Sequence, residues 1–76
     1  MSGFGAQRYT ANMPALIGWM ARAQPGQRND RLFGAALCAL NAGYDTGEIE
    51  QAARDTGLSW YEIHQTVRSA RRYART

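Results

Sequence analysis

The sequence predicts an all-α fold, a compact bundle of about four helices whose last two resemble a helix-turn-helix. Two observations carry this. Apolar residues recur at i, i+3, i+4 and i+7 in successive segments, and no segment alternates with the period of a strand. Helix start and stop residues punctuate the chain at matching intervals: Asn12–Met13–Pro14, Pro25–Gly26, Gly43, Asp45–Thr46, Thr56–Gly57 and Ser59 with Glu62. At 76 residues there is room for one small domain and a modest core.

Residues 1–11 hold Ser, Gly, Gln and Thr without periodicity and read as a flexible lead-in or linker, with Phe4 and Tyr9 its only anchors. The domain is expected over 12–76. Asn12 caps the first helix and Pro14 sits in its first turn, where the missing N–H costs nothing. Met13, Leu16, Ile17 and Met20 share a face with Trp19 on its flank, and the helix is expected to end near Ala23, before Pro25–Gly26. The second helix takes Asn29 or Asp30 as its cap. Its apolar face is Leu32, Phe33, Ala36, Leu37 and Leu40, and Gly43 supplies the left-handed residue that ends it. The third helix starts at Asp45 or Thr46, with Asp45 and Glu48 at capping-box spacing, and turns Ile49, Ala52 and Ala53 inward.

The fourth helix is the most informative. Ser59 and Glu62 form a capping box, and Ile63, Val67, Ala70 and Ala74 make a core stripe. At about 100° per residue, Tyr61, His64, Arg68, Arg71, Arg72 and Arg75 fall in one sector beside that stripe. No acid follows Glu62. All nine basic residues are Arg, four of them in the last nine positions, and the formal net charge is +3. Genomic base composition accounts for much of an Arg-for-Lys bias. The planar guanidinium also suits bidentate contact with phosphate. A single-signed sector of this kind fits nucleic acid or nucleotide phosphate. Trp60, Tyr61 and Tyr73 lie along the same helix, and aromatics beside Arg suit stacking on unpaired bases, although Trp60 also suits the core.

A second anion seat is readable in the Gly26–Gln27–Arg28–Asn29 turn, where a helix N-terminus is joined by Arg28 and Arg31. The plain alternative is a turn glycine, a cap and two solvated arginines. A P-loop is excluded, since its strand, second Gly and Lys are missing. Catalysis has no constellation to rest on. His64 is the only histidine, and the acids are scattered, so no catalytic or metal site is expected. Cys38, the only cysteine, lies in an apolar helix and reads as a packing or flank residue. With no disulfide possible, a reducing cytoplasm is the natural compartment. The uncharged runs at 9–21 and 32–44 are shorter than the roughly 20 residues a membrane span needs, and no signal peptide is readable.

One pattern goes further. Gly26-x-Arg28-Asn29-x-x-Leu32-Phe33, then Gly43, then Glu62-Ile63, then Thr66-Val67-x-Ser69-Ala70-x-x-Tyr73 resembles the primase C-terminal (PriCT) helical domain, over about residues 24–74. That domain follows the catalytic domain in primase-polymerases and replication proteins of plasmids, phages and integrated elements. The resemblance implies a non-catalytic accessory module that engages single-stranded template DNA and the initiating nucleotide, ATP or another, beside a primase or polymerase catalytic domain in cis or trans. It points to Arg28 and Asn29 in the first motif and to Ser69, Ala70 and Tyr73 in the second. The chain departs from the family between Gly43 and Leu58, where a Pro-containing stretch is often found and none stands here. Two other classes stay open: a helix-turn-helix regulator of duplex DNA, of phage repressor or excisionase type, built on the segments either side of Thr56–Gly57–Leu58, and a protein-interaction module of a replication complex.

Overall fold

The computed structural model describes residues 12–74. It contains four helices, α1 (Met13–Ala21), α2 (Arg28–Asn41), α3 (Gly47–Asp55) and α4 (Trp60–Tyr73), and no strand among the described residues. The all-α bundle of four helices is therefore the fold. None of these helices is long and apolar enough to cross a membrane.

The two long helices, α2 and α4, form the most extensive contact, and α1 lies across α3 and α2. The core is Met20 and Ala23 from the α1 end, Leu32, Ala35, Ala36 and Ala39 from α2, Ile49, Ala52 and Ala53 from α3, Leu58, and Ile63, Val67 and Ala70 from α4. More than half of these are alanine, so the helices approach closely and little bulk separates their backbones. Trp19, on the flank of α1, lies over Gly34 of α2. A β-carbon there would sit 3.4 Å from the ring. The Arg31 guanidinium also lies over the indole, 5.0 Å from its centroid, and its Nη1 donates to the Trp19 carbonyl at 2.7 Å. One orphan carbonyl in the last turn of α1 is thereby satisfied.

The ends of the helices follow their capping chemistry. Asn12 accepts from the Ala15 N–H at 3.2 Å. After α2, Gly43 has φ +83°, the Tyr44 N–H reaches the Ala39 carbonyl at 2.8 Å, and the Gly43 N–H reaches Leu40 at 3.0 Å, a Schellman motif. The α3–α4 junction repeats it. Gly57 has φ +115° and donates to Arg54, Leu58 donates to Ala53, and the Leu58 side chain is buried against the core. The junction therefore does structural work on both sides, and it delivers Ser59 to start α4.

Three expectations need correction. α2 is capped by neither Asn29 nor Asp30. It begins at Arg28 after Gln27, whose side chain instead accepts from the Gln24 N–H at 3.2 Å. The buried face of α2 is Leu32, Ala35, Ala36 and Ala39, while Phe33, Leu37 and Leu40 are only partly buried on its flank. The reason is the close helix approach, which alanine permits and leucine would prevent. Finally, the Asp45–Glu48 capping box of α3 does not form: of the two caps expected, Thr46 takes the position, and its hydroxyl donates to Glu50.

Candidate nucleic-acid interface

α4 opens with the capping box that its sequence predicts. Ser59 Oγ accepts from the Glu62 N–H at 3.1 Å, and Glu62 Oε1 accepts from the Ser59 N–H at 3.1 Å. This gives Glu62 a second importance. It is the one acid on the helix, and its carboxylate is held at the positive end of the helix dipole, away from the arginines one and more turns onward. Ile63, Val67 and Ala70 turn into the core and fix the rotation of α4. The sector beside that stripe then faces solvent: Tyr61 is 73% exposed, and His64, Arg68, Arg71 and Arg72 are exposed with it.

Most of that sector lines one shallow, open groove of about 460 Å³, formed by Tyr61, His64, Gln65, Val67, Arg68 and Arg71 of α4 with Glu50 of α3. Arg68 and Arg71 have no ion-pair or hydrogen-bond partner among the described residues. Trp60 is 43% exposed and packs its ring against His64, centroids 5.8 Å apart and planes tilted by 34°. Trp60 is thus a flank residue rather than a core one, and with Tyr61 and His64 it forms an aromatic run at the N-terminal end of the groove. Arg72 projects beside Arg68 on the same exposed sector, outside the groove lining. Arg75 lies outside the described residues.

The remaining site residues do not join this groove. Tyr73 is 69% exposed, but its ring meets the edge of Phe33 of α2 at 5.8 Å. By helical rotation it lies roughly 150° from the middle of the arginine sector. Ser69 is exposed, and Ala70 is fully buried in the core. Asn29 Oδ1 accepts from the Thr66 hydroxyl at 3.1 Å, tying the first turn of α2 to α4. Thr66 is roughly 170° around α4 from the arginine sector, so the Arg28–Asn29 turn abuts the far side of the helix. The three residues of that turn also diverge from one another. Asn29 reaches α4, Arg31 reaches Trp19, and Arg28 runs into a recess lined by Ile17, Ala21 and Ala23 with Ala52, Asp55 and Thr56. The Arg28 guanidinium ends beside Gly57, 3.6 Å from where a β-carbon would stand, at the negative end of α3. Its Nε is buried without a hydrogen-bond partner.

Glu50 and Gln65 belong to the groove and were not readable as site residues. Gln65 carries no charge or ring to single it out. Glu50 is one of two acids in the first turn of α3, and only tertiary packing brings it to the arginine sector. The one sequence hint was its i, i+4 relation to Thr46, which places the two on one face.

No protein-family model matches this chain, and no curated protein or solved structure matches it significantly.

Proposed function

We propose that this chain is an accessory helical module that binds single-stranded template DNA through the α4 groove. Arg68 and Arg71, with Arg72 beside them, hold backbone phosphates, and Tyr61, His64 and Trp60 offer ring faces to unpaired bases. The observation that carries this reading is the pairing of unpartnered arginines with exposed aromatic side chains on one helix face, with the only acid of α4 consumed by the cap. Stacking platforms beside a phosphate-binding track are the recurring means of holding single strands. The resemblance to the primase C-terminal domain supports the same assignment. In it, phosphoryl transfer belongs to a primase or polymerase catalytic domain in cis or trans, and the module contributes binding.

The initiating nucleotide finds two of the three side chains of the Arg28 turn already taken. Asn29 and Arg31 are engaged in helix–helix contacts, and the Arg28 Nε is buried without a hydrogen-bond partner. A nucleotide such as ATP, if bound, is therefore assigned to the groove arginines before the Arg28 turn. A second reading, a regulator of duplex DNA, draws on the short Thr56–Ser59 connection that sets α4 as a presented helix after α3. Competition for a labelled single strand separates the two. The template reading predicts that an unlabelled single strand displaces it far better than duplex of equal length. A duplex that competes better, in a sequence-dependent way, refutes it.

A further inference from the structure

Glu50 is the only acidic side chain lining the α4 groove. On a surface that only gathers phosphates, a carboxylate at that place works against the function through like-charge repulsion. Its position in the first turn of α3 suits the helix dipole, but a dipole does not hold a side chain in one direction. Thr46 does so. Its hydroxyl donates to Glu50 Oε2 at 2.7 Å, and Thr46 itself is only 2% exposed. A bond to an ionised acceptor is stronger than a neutral one. The carboxylate is therefore fixed by a buried neighbour at the edge of the groove, while its other oxygen has no donor among the described residues. Neither Arg68 nor Arg71 takes that oxygen, although both line the same groove. A preset acceptor with one free oxygen, set among cations and rings, is suited to a neutral donor.

We propose that Glu50 reads the edge of an unpaired base in this groove and selects bases that carry an exocyclic amino group; this rests on the reading of the groove as a single-strand site. Cytosine N4, adenine N6 and guanine N2 each present an amino donor to a carboxylate. Thymine presents a single N–H flanked by two carbonyl oxygens, and both repel an anionic acceptor. The division of labour is then complete within one groove. Arg68 and Arg71 hold phosphates on either side of a base, Tyr61 and His64 support its face, and Glu50 tests its edge. Thr46 acts as a positioning residue, since it touches Glu50 and not the base.

The test compares a labelled oligodeoxycytidylate with an oligodeoxythymidylate of the same length, titrated by fluorescence anisotropy against the full chain at low salt. One added hydrogen bond to a charged acceptor predicts binding of the cytidylate tighter by about fivefold or more. Glu50→Gln keeps a partner for Thr46 and offers an amide N–H to the thymine carbonyls in place of an acceptor for the cytosine amino group, so thymidylate binding tightens, cytidylate binding does not, and the ratio between the two falls toward one. Thr46→Val leaves the charge in place and frees its direction, and it lowers the ratio without changing the salt dependence. Thermal melting of each variant verifies folding, and either variant suffices if the other unfolds. Equal wild-type binding, tighter binding of the thymidylate, or a ratio unchanged in a folded variant overturns the base-reading role and leaves the single-strand reading standing. If neither oligonucleotide binds, the single-strand reading falls and this one falls with it.

Discussion

Replacing Arg68 by alanine removes one of three exposed arginines on the described part of α4, and the consequence can be worked out from electrostatics alone. Arg68, Arg71 and Arg72 face solvent, and the one acid of the helix is held in its cap. If each neutralises one phosphate, the slope of log K against log salt is about −0.7 per contact for a single strand, or roughly −2 for three. Raising salt from about 50 to 200 mM then weakens binding about 20-fold. Arg68→Ala brings the slope to about −1.4 and the loss over the same range to about sevenfold. Because Arg68 is exposed and has no hydrogen-bond or ion-pair partner among the described residues, the melting temperature stays within about a degree or two. Anisotropy titrations at four or five salt concentrations give both slopes. A wild-type slope near zero, or a slope that Arg68→Ala leaves unchanged, refutes the claim that these side chains hold phosphates.

Three further outcomes follow from the packing. Ser59→Ala breaks the capping box of α4 and costs about 1 kcal/mol, a large share of what a domain of this size holds, read as a drop in the urea midpoint. Asn29→Ala and Thr66→Ala are coupled through one interhelix hydrogen bond, so a double-mutant cycle gives an interaction of about 0.5–1.5 kcal/mol in stability, while single-strand affinity is unaffected because the pair lies on the far side of α4. Gly57→Ala forces a side chain into φ +115° beside the Arg28 guanidinium and destabilises by more than about 1 kcal/mol in thermal or urea melts.

The four helices were legible because their punctuation is local. Asn12 before Pro14, Gly43, Gly57, and Ser59 with Glu62 act through backbone atoms a few residues away, and all stand in the expected places. The core face of α2 was less legible. Hydrophobic spacing weights Phe33, Leu37 and Leu40 by size, whereas the fully buried positions of α2 include Ala35 and Ala39, small side chains that such weighting passes over. The cap of α2 was misplaced for a similar reason. Asn29 is a good capping residue in isolation, but its side chain finds the Thr66 hydroxyl, 37 positions onward in the chain. The arginine sector itself could be read from helical rotation, since its residues share one helix. Its partner across the groove could not. Glu50 reaches it only through the packing of α3 on α4, and the same limit concealed that the Arg28–Asn29 turn and the arginine sector lie on opposite flanks.

The measurement that tests the central claim most directly is a residue-resolved amide titration of the chain with a short single strand at low salt. The account predicts shifts concentrated on Tyr61, His64, Gln65, Arg68 and Arg71, with Glu50 across the groove, and quiet signals at Asn29, Arg31 and Thr66. Shifts that centre on the Arg28–Asn29 turn, or a titration that leaves the α4 signals unmoved, would contradict it.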